Sequence, residues 1–353
     1  MSLPPTRPHE QQRPDAPTVP TARVEPQTPA LGNPALGTQP AAPWSPHAPA
    51  HARPAGDTTA STRPVVEATE ARVAPRVVGL LVAFLGVVAF AYVTRLALGT
   101  VWGQELDENA LAGSTFGKGT LWKVGEPVLD VVSNSFVVLA LGGAILISLL
   151  RRRWGLAAQV VVLVAGANLT TQILKHQVLE RAHLGVLTER PGNSLPSGHT
   201  TVAASVSIAL LLVVPRRVRP VVALLGAVYT ALTGVSTMVG GWHRPSDVVA
   251  GLLVVLVWTA LVLGLTSASG IDRKAKHSSV GTAVATTLLA VGTAVSGALA
   301  AGLLTGSVEL FADRGQDVVD YLGTASAVVA ATGLVFMVSL LLRQSTARGR
   351  AES

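Results

Sequence analysis

The sequence contains no cysteine. That excludes a disulfide, a thiolate nucleophile and a thiolate metal site. Charge is also scarce: Asp, Glu, Lys and Arg make up 13% of the 353 residues, against about a quarter in soluble proteins. No apolar run occurs before about residue 77, so the N-terminal stretch lacks the core of a secretory signal. The net charge of +7 raises the question of a nucleic-acid partner. Its distribution argues against one. Residues 1–76 carry seven Arg and six acids, which nearly cancel. The surplus sits in short basic clusters between apolar runs, a membrane-orientation pattern rather than a nucleic-acid footprint.

Residues 1–70 form a separate regime with 15 of the 22 prolines and almost no apolar periodicity. Such a segment buries too little surface to offset its ordering entropy, and the expectation is a disordered cytoplasmic tail. Beyond it, eight apolar runs recur, at 77–98, 128–150, 154–174, 200–214, 221–241, 248–265, 280–304 and 321–342. Most approach the roughly 20 residues that carry a helix across the hydrocarbon core. The fold class expected is therefore all-α: a polytopic membrane bundle, with a six-helix core over 77–266 and two added helices over 280–342. Basic clusters at Arg151 to Arg153, Arg216 to Arg219, Arg273 to Lys276 and Arg343 to Arg350 fall on one side of eight spans. This predicts both termini, including the tail 343–353, in the cytoplasm. The opposite loops are mostly acidic, with one exception. Residues 175–199 hold Lys175, Arg181, Arg190 and His199, and the next connection on that side holds His243, Arg244 and Asp247. Cations that oppose the orientation bias mark where chemistry is to be sought.

Pro196, Ser197, Gly198 and His199 form a turn opening into the fourth run. Backbone N–H groups can converge there, and the helix N-terminus adds a positive dipole end, which makes an anion site. Ser197 offers a hydroxyl, and His199 could give a proton to a leaving oxygen. The same tetrapeptide also describes a plain helix start, capped by Ser197 or Thr200. In the second stretch, Asp247 stands four residues after His243 with Pro245 between them. A carboxylate reaching one ring nitrogen fixes the tautomer and leaves the other nitrogen free to attack or to accept a proton. The third piece is the cations Lys175, Arg181 and Arg190, which either snorkel toward headgroups or neutralise a phosphate. His176 and His183 read as interfacial residues. Taken together, two histidines around an anion cradle suit in-line phosphoryl transfer. The loops lack the clustered carboxylates of a magnesium site, so no metal and no cofactor are expected.

These stretches resemble the type 2 phosphatidic acid phosphatase superfamily of integral-membrane lipid phosphatases, over roughly residues 100–266. Its signature is Lys-x6-Arg-Pro, then Pro-Ser-Gly-His, then Ser-Arg-x5-His-x3-Asp. The middle motif is complete at Pro196 to His199, and Ser236, His243 and Asp247 match the third, with Thr237 in place of Arg. In the first, Lys175 is followed after five residues by Arg181, and the loop's Arg-Pro pair is the more distant Arg190 and Pro191.

The resemblance implies a hydrolase acting on a lipid-linked phosphate or pyrophosphate at the outer leaflet. His243 would be the nucleophile, oriented by Asp247, and His199 the general acid and then base. Lys175, Arg181, Ser197 and the Gly198 backbone would bind phosphate. Arg181 is preferred to Arg190 on spacing, and Arg244 or Arg190 would make up for the Arg replaced by Thr237. The implied partners are the lipid phosphate substrate and the bilayer, and the oligomeric state stays open. Two further readings share these residues: transfer of the phosphoryl group to a sugar or lipid hydroxyl, and a transporter or scaffold with weakened catalysis.

Overall fold

A computed structural model describes residues 63–119 and 154–346, apart from 189 and 266–279, with a few isolated positions between 123 and 152. The tail over 1–62 and the second apolar run, 128–150, lie outside the described residues but for those positions. Eight α-helices are described: α1 Arg63–Gly99, α2 Val101–Gly113, α3 Trp154–Ile173, α4 Gly198–Val213, α5 Arg219–Val239, α6 Pro245–Leu265, α7 Val280–Leu304 and α8 Gln316–Thr346. No strand occurs among the described residues.

Six of these helices (α1, α3, α5, α6, α7 and α8) contain stretches long and apolar enough to cross a membrane. The shorter α4, with 16 residues, is apolar as well. Their outer faces confirm the solvent they are built for. Leu81, Phe84, Leu85 and Val88 on α1 are exposed, as are Val284, Leu288, Val291 and Val295 on α7. Stripes at spacings of three and four are stable when exposed only in lipid, where the helical backbone satisfies its own hydrogen bonds. The chain is an integral membrane protein.

The core lies where α3, α4, α5 and α6 meet. Val160, Leu163, Ile208, Leu211, Leu252 and Val255 are fully buried there. Hydroxyls inside the bundle donate to carbonyls one turn back, as Thr233 does to Tyr229 O at 2.9 Å and Thr259 to Val255 O at 2.7 Å. This satisfies polar groups without a water partner. Helix α1 packs along α6. Helix α8 is no peripheral addition: it packs on α2, α5 and α6 as well as α7, and its Phe336 enters the main core while Tyr321 and Val328 join Met238 and Val248 in a second cluster.

Helix α2 is not among the apolar runs, and it is the element that sequence periodicity missed. Thr100 caps it, its Oγ1 accepting from Gly103 N at 3.0 Å. Its buried face is Gly103, Gln104, Asp107, Ala110 and Gly113. The spacing is helical, but two of the five are polar, so a hydrophobic pattern does not register. Gly113 is required by contact: a Cβ there would lie 2.0 Å from Asp317 O of α8. The two backbones meet, and Asn109 Nδ2 seals the contact by donating to Asp320 Oδ2 at 3.0 Å.

Candidate active site

One end of the bundle gathers the start of α4, the start of α6, the end of α3, the loop 179–197 and α2. The chain reaches this arrangement through local rules. Ser197 is the N-cap of α4, its Oγ accepting from Thr200 N at 3.3 Å and from Thr200 Oγ1 at 3.0 Å. The peptide before it, Leu195–Pro196, is cis. Ser197 N donates to Asp247 O at 2.8 Å. Gly251 permits the approach of α6, since a Cβ there would stand 2.9 Å from Ser197 O. These backbone contacts hold the first turns of α4 and α6 side by side.

Asp247 lies in the first turn of α6. Its Oδ2 accepts from three donors: His243 Nδ1 at 3.1 Å, Arg244 N at 2.9 Å and Ser194 Oγ at 2.6 Å. His243 and Asp247 are both buried. With Nδ1–H donating to the carboxylate, the lone pair of the imidazole is on Nε2. The His199 ring lies 5.8 Å from the His243 ring, centroid to centroid, at 66°. The Trp242 ring lies 5.4 Å from that of His199, at 39°.

The expected cations divide into two groups. Arg181 is committed: its Nη2 donates to Glu108 Oε1 at 2.9 Å, and its side chain is 6% exposed. Burial, and then the neighbouring Arg244, lower its pKa from the usual guanidinium range despite Glu108. Arg244 is committed too. Its Nε donates to Glu108 Oε1 at 2.8 Å, its Nη1 to Ser194 Oγ at 2.9 Å, and its Nη2 to Arg190 O at 2.8 Å. Arg190 and Lys175 differ. Among the described residues no carboxylate is ion-paired with either. The Arg190 guanidinium rests on Gly241, where a Cβ would meet Nη2 at 3.3 Å. Lys175 sits half-buried in the π-helical turn that ends the α3 segment.

A small cleft of about 70 Å³ opens at this end, walled by Arg190, Asn193, Ser194, Trp242, His243 and Arg244 among others. The structure thus brings His243, Arg190 and Arg244 to one cavity, with Asp247 bonded to His243 behind the wall and the His199 ring beside His243. Lys175, Arg181, Ser197, Gly198 and His199 are not in the cleft wall. Two of the expected phosphate-binding side chains have partners inside the protein. Arg181 occupies an ion pair rather than the cleft, because Glu108 of α2 reaches it. The Ser197 hydroxyl is fully buried and caps α4, so it faces the helix. Thr237 is buried in α5 with its hydroxyl donating to Gly234 O at 2.7 Å, and it stands as a packing residue.

Several residues escaped the sequence reading: Glu108, Asp107, Ser194 and Thr188. Asp107 accepts from Ser246 N at 3.2 Å and from Ser246 Oγ, so α2 supplies a cap to α6 from outside it. Burial, with the Asp247 charge next, pushes the Asp107 carboxyl up to about 7. Among the described residues no group of three or more His, Asp and Glu side chains is placed to hold a metal ion.

Comparison with known proteins places a family on part of the chain. Residues 136–271 match the family model described as "PAP2 superfamily". No curated protein matches. Among solved structures the chain is similar to one described as the first transmembrane PAP2 type phosphatidylglycerolphosphate phosphatase from Bacillus subtilis. That similarity is 21% in identity, covers 52% of this chain and 94% of the other, and has a TM-score of 0.43.

Proposed function

We propose that this integral membrane protein, whose residues 136–271 are a PAP2-superfamily region, is a phosphatase for lipid phosphates or pyrophosphates. The substrates in view are of the phosphatidate, phosphatidylglycerol phosphate or polyprenyl pyrophosphate type, met at the outer leaflet with both chain termini in the cytoplasm. The observation that carries the reading is the buried His243–Asp247 pair, 3.1 Å apart, with the His199 ring 5.8 Å from His243 at the edge of a cleft.

In the first step His243 Nε2 forms a bond to phosphorus as the bond from phosphorus to the lipid oxygen breaks. His199 gives its proton to that oxygen, and the lipid alcohol leaves, or the lipid monophosphate where the substrate is a pyrophosphate. Asp247 holds the Nδ1–H tautomer and stabilises the charge that the ring gains. In the second step a water gives its proton to His199 and attacks phosphorus, the P–N bond breaks, and phosphate departs. Arg190 from the cleft wall, with Lys175 and the Gly198 N–H from the His199 side just outside it, holds the phosphate oxygens. Arg190 takes the place first given to Arg181, because it reaches the cleft and, among the described residues, no carboxylate is ion-paired with it. No step calls for a metal.

The test is phosphate release by the purified protein from a panel of these lipids, with EDTA present. His243→Ala and His199→Ala should each lose about a thousandfold or more in kcat. Acid-labile phosphate should be trapped on His243 in the wild type and be absent from His243→Ala. Full activity in His243→Ala refutes the mechanism. Product esters formed with added alcohols would instead identify a transferase.

A further inference from the structure

Glu108 belongs to no motif, yet three side chains from outside its own helix converge on its carboxylate. Its Oε1 accepts from Arg181 Nη2 at 2.9 Å and Arg244 Nε at 2.8 Å, and its Oε2 accepts from Thr188 Oγ1 at 3.0 Å. These partners come from three places. Arg181 and Thr188 bracket the loop that leads to Arg190, while Arg244 follows His243. Thr188 Oγ1 in turn accepts from Arg190 N at 3.0 Å, and Arg244 Nη2 donates to Arg190 O at 2.8 Å. Both backbone polar groups of Arg190 are therefore fixed by residues that Glu108 holds.

The sequence explains why an anchor is needed. In the superfamily signature six residues separate Lys from Arg-Pro, whereas fourteen separate Lys175 from Arg190 here. A longer loop costs little in closure entropy, and its far end is tied back to the end of the α3 segment by Asn193 Nδ2, which donates to Lys175 O at 3.2 Å and Leu179 O at 3.0 Å. Glu108 adds a second constraint, from α2, on the stretch between. Helix α2 is itself held by α8, through the Gly113–Asp317 backbone contact and the Asn109–Asp320 hydrogen bond.

We infer that Glu108 is a positioning residue for phosphate: it pins the loop 181–190 through Arg181 and Thr188 so that the Arg190 guanidinium stands at the cleft. This assignment rests on the phosphatase reading for its kinetic consequence, and not for its structural one. Arg181 acts as an anchor point in it and does not touch phosphate.

The experiment compares wild type with Glu108→Gln, Arg181→Gln and Thr188→Val, each purified full-length in detergent and checked by size exclusion. For Glu108→Gln, which keeps the shape and drops the charge, KM should rise about tenfold while kcat changes less than threefold. Arg181→Gln and Thr188→Val should move KM in the same direction and by no more. Two readouts need no turnover. Trypsin should cut after Arg181 faster in Glu108→Gln than in wild type, and calorimetry should show weaker binding of inorganic phosphate. Three results overturn the inference: an unchanged KM and cleavage rate, a fall in kcat at constant KM, or a loss in Arg181→Gln far exceeding that in Glu108→Gln. The last would make Arg181 a direct ligand. If wild type hydrolyses no lipid phosphate, the functional reading fails, and the trypsin arm still decides whether Glu108 anchors the loop.

Discussion

Replacing Asp247 by asparagine removes one charge and almost no volume from the centre of the site. Three donors converge on its Oδ2, from His243, Arg244 and Ser194. An asparagine that placed its NH₂ there would set a fourth donor against these three, at a cost of about 1–3 kcal/mol for each one left unsatisfied. The amide should therefore turn its oxygen to that position, and the imidazole keeps the tautomer that leaves Nε2 available. This differs from serine-protease triads, where the corresponding change traps the wrong tautomer and costs about 10⁴ in kcat. What is lost here is the charge assistance to the imidazole as it becomes positive, worth about 1.5–3 kcal/mol. At 1.36 kcal/mol per tenfold, Asp247→Asn should lower kcat about 10- to 150-fold. KM should hardly move, since Asp247 lies behind the ring and away from the phosphate. Steady-state phosphate release from mixed micelles measures both constants. A kcat within threefold of wild type, or a loss confined to KM, refutes the reasoning. A drop near 10⁴ would mean that the amide turns the other way.

Arg190→Gln should raise KM about tenfold or more, because it deletes the guanidinium at the cleft without touching the His243–Asp247 pair; a substrate titration against Arg181→Gln tests this. Gly113→Ala should lower the thermal midpoint, since its Cβ falls 2.0 Å from Asp317 O and backbone must shift, with a cost of about 1–3 kcal/mol typical of overpacking; thermal unfolding with an activity readout checks it. Asp107 gives a pH prediction. Its folded pKa of about 7 lies above its ordinary value of 3.8, so between these the folded state binds more protons and stability falls as pH rises. Asp107→Asn should flatten that decline between about pH 4 and 7, seen in midpoints measured across the range, and an unchanged slope would refute it.

Much of this protein was legible in one dimension because the relevant physics is short-ranged. Span-length apolar runs announce helices whatever they pack on, and seven of the eight runs correspond to described helices. Ser197 could be read as the cap of α4 because a cap acts within three residues. The His243–Asp247 contact follows from a spacing of four with Pro245 at the helix start. The failures occur where the partner is remote. Helix α2 hides because its buried face is partly polar, and hydropathy registers only apolar faces. Spacing preferred Arg181 to Arg190, and spacing says nothing about a carboxylate 73 residues upstream.

By itself the sequence determined the membrane bundle, the histidine motifs and the acid that orients His243, since each depends on local periodicity, capping or an interval of a few residues. The tertiary structure alone decided which cations line the cleft. That choice turns on Glu108, which meets Arg244 across 136 positions and takes Arg181 with it. A buried charge takes as partner whatever the packing of helices brings within about 3 Å, and distance along the chain does not enter.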